Sequence, residues 1–232
     1  MSNPITLPVG KIVAMFGHDG ELWTQGTWYD DGMLCMHEGI KRCEDLKPGD
    51  FHLIEAVADR HGWGTTFNDR QSTTWHDVRD MLGRHPEITE TELDATFGPN
   101  WEPIVALVRR AATLTPDETK QLDAARYAAR DKAGAAAWDA ARHAARSAAR
   151  DKAWNKAGDA AWYAARYAAR DKAGHAAWYA AWYAAGAAAG AAAWALVVAD
   201  LVGEHGFTQD HFDTLTAPWF QVCGDPRAEV TA

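Results

Sequence analysis

From Ala125 to Ala193 every fourth residue is alanine without exception, and no proline interrupts the chain between Pro116 and Gly203. Alanine is the best helix former and loses no side-chain entropy, so this block is helix. A period of 4.0 does not match the 3.6 residues of a helical turn, and the alanine stripe drifts around a straight helix by about 40° per tetrad. A single rod would leave that stripe without a constant partner, so the block must fold back on itself. The cassette AARYAARDKAG at 124–134 returns letter for letter at 164–174, with a variant copy, AARSAARDKAW, at 144–154. The best break in the rhythm is NKAGD at 155–159, where Gly158 suits the left-handed position after a helix and Asp159 suits the cap of the next. That break divides the block into arms of about forty residues, about 60 Å each at the helical rise. The arm length matches the offset between the identical cassettes, between Trp138 and Trp178, and between Trp154 and Trp194. The expectation is a mainly α protein: a small helical N-terminal domain and a long alanine-rich antiparallel helical hairpin. Further breaks at Gly134 and Gly174 would instead give several helices of about twenty residues, the length at which five tetrads end.

The block's start is well marked. Thr115 and Glu118 in TPDE, like Thr89 and Glu92 in TETE, fit a capping box, and Pro116 occupies the first helical position, where its missing N–H costs nothing. Upstream, local signals place helices near 8–17, 33–44, 50–62 and 74–83, with an extended stretch through ELWTQGTWY. Downstream, Thr208 caps a short helix that stops before Pro218, and the last ten residues are loose. The expected divisions are 1–114, 115–203 and 204–232.

Charge is unevenly placed. Residues 1–120 carry 11 basic and 20 acidic side chains, 121–200 carry 11 and 7, and 201–232 carry 1 and 5. A basic middle block thus sits between acidic flanks that can neutralise it internally or leave it for an anionic partner. The 3 cysteines are too few and scattered for a disulfide scaffold, which indicates a reducing compartment. The start, MSNPITLPVGKIVAMFGHDG, lacks the charged head and unbroken apolar core of a signal peptide, so the expected location is cytoplasmic.

The runs WTQG at 23–26, DG at 31–32, CMHEGI at 35–40, FND at 67–69 and TTWHDV at 73–78 form a pattern. It resembles a family of uncharacterised actinobacterial and actinophage proteins with a WCxGA-like element and a later WND...T..DV element. The matching positions are Trp23, Gly26, Asp31, Gly32, Cys35, Gly39, Asn68, Asp69, Thr74 and Val78; Phe67 stands where the family has tryptophan, and His37-Glu38 where it has small residues. The stretch LVVADLVGEHGFTQDHFDTLTAPW is similar to the ending of Ala/Trp/Arg-repeat proteins from the same sources. The resemblance implies a phage or actinobacterial origin, with host cytoplasm as the setting, and brings no activity with it.

Cys35, His37 and Cys43 lack the second pair that a structural zinc site requires, and no signature marks Cys35 as a nucleophile, so neither metal nor cofactor is expected. Asn68 and Asp69 read first as turn residues, with Thr73 or Thr74 capping the next helix; with Trp23 and Trp28 they also form a candidate polar pocket. The repeat presents arginines four apart: Arg126/Arg130, Arg142/Arg146/Arg150 and Arg166/Arg170. Like charges at that spacing oppose an isolated helix, so something must compensate. With Tyr127, Trp162 and Tyr167 between them, they form the candidate binding ridge. The leading expectation is a non-catalytic protein that engages a macromolecular partner, a host protein in the phage setting. Nucleic acid gripped through phosphates and stacked bases is one alternative. Membrane association through the charge-free stretch 175–199 is another, disfavoured because alanine is weakly apolar. The alanine faces also suit self-association.

Overall fold

The computed structural model describes residues 5–25, 29–30, 33–151, 155–172 and 178–230. The side chains of 29–30, 65–66, 130, 149–151, 155–156, 166–172, 178–185 and 229–230 lie outside that description. In chain order the elements are β1 (Ile5–Thr6), α1 (Val9–Ala14), β2 (Tyr29–Asp30), β3 (Met33–Leu34), α2 (Met36–Lys41), α3 (Asp50–His61), α4 (Thr65–Asn68), α5 (Trp75–Arg84), β4 (Glu87–Ile88), α6 (Glu90–Phe97) and α7 (Trp101–Ala111). The alanine-rich block follows as α8 (Pro116–Ala133), α9 (Ala135–Asp151), α10 (Asn155–Lys172) and α11 (Trp178–Val197), and the chain closes with α12 (Gln209–Cys223) and α13 (Pro226–Val230). The protein is mainly α, as expected. The strands are short antiparallel pairs, with Ile5 opposite Ile88 and Tyr29 opposite Leu34. Strand β3 takes the start of the helix expected over 33–44.

Local chemistry sets the helix starts. Thr74, Thr89, Thr115 and Thr208 each close a capping box at the head of α5, α6, α8 and α12. At α8, the Glu118 amide donates to Thr115 Oγ1 at 3.2 Å, and the Thr115 amide donates to Glu118 Oε2 at 2.8 Å. The Thr115 amide first, then the Arg110 guanidinium, hold the Glu118 carboxyl down at about 2, from an ordinary value of 4.5. A depressed acid stabilises the fold above its unfolded pKa, and this contribution fades as pH falls from 4.5 toward 2. Thr115→Ala is expected to cost about 1 kcal/mol at neutral pH. Thermal unfolding at pH 7 and pH 2.5 checks this: the gap between variant and parent narrows in acid.

The alanine rhythm resolves into four helices of 18, 17, 18 and 20 residues, the shorter of the two arrangements open to it. Over twenty residues the stripe drifts by about 200°, more than half way around the helix, so breaks at this interval restore it to the core side. Ala141 and Ala145 of α9, Ala157, Ala161 and Ala165 of α10, and Ala189 and Ala193 of α11 are buried accordingly. The cassette copies begun at 124, 144 and 164 occupy the C-terminal ends of α8, α9 and α10, so the exact duplicate forty residues on marks two helices, not one arm. At the first junction Gly134 turns the chain with φ of +77°, a conformation side chains resist. Gly174 lies outside the described residues.

The break expected at 155–159 is not there: Gly158 and Asp159 lie within α10. Gly158 serves packing instead. A Cβ built on it would stand 2.3 Å from Cζ3 of Trp194, and one built on Gly190 would stand 2.6 Å from Cδ1 of Trp162. The pairings 158–194 and 162–190 run in opposite directions, so α10 and α11 form an antiparallel pair locked by reciprocal glycine–indole contacts.

This pair is the centre of the molecule. Helix α10 packs against α3, α6 and α7, while α11 packs against α7, α8, α9 and α12. One hydrophobic cluster runs from Ile5 to Trp219. Where α3 meets α7, Gly49 adopts φ of +87° and its missing Cβ would lie 2.8 Å from the Val108 carbonyl. Beside that approach Arg109 grips the buried Asp50 carboxylate twice, Nε to Oδ1 at 2.6 Å and Nη2 to Oδ2 at 3.2 Å. Two expectations about the C-terminus are corrected. Pro218 does not end α12, because it and Trp219 are buried and the helix carries them through to Cys223. Residues 226–230 are helical, and the Arg227 guanidinium packs over the Phe212 and Phe220 rings at 5.0 and 5.4 Å.

Candidate anion-binding pocket

Because alanine helices cannot fill the space between their backbones as larger side chains do, a hollow of about 330 Å³ remains among α8, α9, α10, α11 and α12. Its apolar lining is made of Ala145, Ala187, Ala191 and Leu215 and of the indoles Trp138, Trp162 and Trp194. Charge enters from two helices: Arg126 from α8, and Asp139, Arg142 and Arg146 from α9. Residues three, four and seven apart share a helix face, which puts Asp139, Arg142 and Arg146 on one side of α9, with Trp138 one turn before Arg142. Two of the three indoles are held by the glycine contacts at Gly158 and Gly190. The lock between α10 and α11 is therefore also the construction of the pocket.

Among the described residues the lining carries three guanidinium groups and one carboxylate, and Asp123 stands beside one of the three, Arg126. Arg126 lies 4.6 Å over the Tyr127 ring, and its Nη2 reaches Asp123 Oδ1 at 3.4 Å. Its Nε is buried without a hydrogen-bond partner. Burial first, then the like charge of Arg146, pulls the Arg142 pKa down from its ordinary value, against the opposing effect of Asp139. Among the described residues, neither Arg142 nor Arg146 makes an ion pair or hydrogen bond. Repulsion between them is offset only in part by Asp139, and a bound anion would offset it further.

Of the candidate ridge, Arg126, Arg142, Arg146 and Trp162 meet in this pocket. Tyr127 points outward and is 53% exposed. The side chains of Arg130, Arg150, Arg166, Tyr167 and Arg170 lie outside the described residues. Trp194 and Asp139, which were not among the candidate site residues, and Trp138 complete the lining. Their signals were present in the sequence, as the forty-residue tryptophan offsets and as an acid three residues before Arg142.

In the other candidate site, Asn68 acts as a tie. Its buried Oδ1 accepts from Trp23 Nε1 at 3.0 Å and from the Met36 amide at 3.4 Å, while its Nδ2 donates to Asp69 Oδ1 at 2.9 Å. Gln25 reinforces the same seam by donating to the Thr73 carbonyl at 2.6 Å. Trp28 lies outside the described residues. Cys35 caps α2, its Sγ accepting from the Glu38 amide at 3.4 Å, and burial pushes its thiol pKa up. Burial likewise raises Cys223, to about 11.

Among the described residues, no group of three or more His, Cys, Asp or Glu is arranged to hold a metal. Nor is any helix among them long and apolar enough to cross a membrane. The described end of the charge-free stretch, from Ala188 to Val198, is buried in the chain's own core. Comparison with protein-family models, with curated proteins and with solved structures gives no match.

Proposed function

We propose that this chain is a non-catalytic binding protein that recognises an anionic group in the pocket between its repeat helices. The observation that carries this reading is the convergence of Arg126, Arg142 and Arg146 on one indole-walled hollow. Clustered guanidinium groups are suited to phosphate or carboxylate, which they hold through paired, charge-assisted hydrogen bonds. Inorganic pyrophosphate should bind with heat in isothermal titration. Arg142→Gln combined with Arg146→Gln, both on the surface, should weaken it about a hundredfold, as expected for two such bonds. Undiminished binding by the double variant, or none by the parent, sinks the reading.

A second reading, a macromolecular partner, is favoured by exposed tyrosines next to pocket residues. Tyr127 follows Arg126 and Tyr163 follows Trp162, and they are 53% and 52% exposed. On this reading the anion is the tip of a larger surface. The resemblance of residues 23–78 to actinophage proteins supplies a setting, an accessory phage protein acting on a host protein in the host cytoplasm.

A further inference from the structure

The chemistry of the pocket is divided, and the division is informative. Arg126, Arg142 and Arg146 supply positive charge from α8 and α9, while Trp162 and Trp194 supply apolar wall from α10 and α11. A bare inorganic anion can occupy the pocket, but it draws its binding from the first half alone and gains nothing from the apolar wall. Asp139 adds a second restriction. A carboxylate beside the arginines adds nothing to the hold on a ligand that is anionic throughout, but it accepts hydrogen bonds from hydroxyl or amino groups next to the anion. The volume adds a third: about 330 Å³ lies at the low end of small-molecule pockets, which suits one compact organic molecule. A polymer would have to thread past it.

A ligand that meets all three conditions carries a flat ring, neutral donors and a terminal anion in that order. Resting on the anion-binding reading above, we infer that the pocket takes a nucleoside monophosphate. The phosphate lies against Arg142 and Arg146, the sugar hydroxyls donate to Asp139, and the base lies along Trp162 and Trp194. Bases present a π-face to aromatic side chains whatever their identity, so this arrangement is tolerant of the base unless other contacts select it.

The test is a fluorescence titration of the full chain, since the indoles that would contact the base also report on it. The four ribonucleoside 5′-monophosphates, adenosine, ribose 5-phosphate, inorganic pyrophosphate and a sixteen-nucleotide single strand are titrated separately. At least one monophosphate is expected to quench the tryptophans. It should bind about tenfold or more tighter than ribose 5-phosphate or its own nucleoside, consistent with one stacked base and one charge-assisted phosphate contact. Arg142→Gln should cut its affinity about tenfold, with the far-ultraviolet circular dichroism unchanged. Ribose 5-phosphate binding as tightly as every monophosphate would overturn the nucleotide assignment and leave the anion reading standing. No binding of any anion would overturn both. Binding of the strand without any monophosphate would overturn the assignment in favour of a nucleic-acid groove.

Discussion

Arg109→Met is expected to lower the stability of the protein by about 3 kcal/mol, or about 6–12 °C in melting temperature for a chain of this size. The reason is the state in which it leaves Asp50. That carboxylate is 3% exposed and its oxygens are held by Arg109 across the meeting of α3 and α7. Removing the guanidinium strands a buried charge where Gly49 brings the two backbones too close for water to be added freely. Replacing both partners, as Asp50→Asn with Arg109→Met, should recover part of the loss, because the penalty belongs to the unpaired charge. The exposed pair Lys11–Asp45 is the control: at 70% and 44% side-chain exposure, Lys11→Met should leave the melting temperature nearly unchanged. Equal losses at the two sites would show that burial of Asp50 is not the cause.

Gly158→Ala should destabilise although helix propensity alone predicts a gain. In a free helix interior the substitution stabilises by about 1 kcal/mol. Here the new methyl meets Trp194 at 2.3 and 2.4 Å, on a rigid ring between packed helices, and overpacking of this kind costs about 1–3 kcal/mol beyond the gain it cancels. Gly83→Ala in α5, where nothing lies within 4 Å, should show the ordinary stabilisation. Opposite signs in chemical denaturation at the two positions identify the glycine–indole lock; a gain at both would remove it. Because Trp194 also forms pocket wall, Gly158→Ala should weaken anion binding as well, whereas Gly83→Ala should not.

What was legible in the sequence was what local chemistry decides. Thr89 with Glu92 and Thr115 with Glu118 announce their helices because a cap needs only residues three apart. Alanine at every fourth position announces helix, and the mismatch with 3.6 announces that the helix cannot continue indefinitely. Where it stops is not local. Gly158 has the composition of a break and lies inside a helix because Trp194, thirty-six residues on, occupies the space its side chain would need. Pro218 stays within α12 for a related reason: burial of Trp219 at 1% exposure holds the helix together past a missing donor. The candidate site divides in the same way. Arg126, Arg142 and Arg146 are visible as a spaced row of cations, but that they converge depends on how α8 and α9 sit on α10 and α11. Trp23 and Asn68 read as pocket residues by type, and the fold bonds them to each other across forty-five residues.

The account rests on the claim that the repeat builds a pocket for an anion. Among the described tryptophans, Trp138, Trp162 and Trp194 line that pocket, and Trp23, Trp63, Trp75 and Trp219 pack elsewhere. Titrating pyrophosphate into protein labelled with nitrogen-15 at tryptophan separates the two groups in one spectrum. The indole resonances assigned to Trp138, Trp162 and Trp194 should move together and saturate together while Trp23, Trp63, Trp75 and Trp219 stay in place. Saturable shifts centred on Trp23 and Trp75, or no saturable shift at the three pocket indoles, would contradict the account.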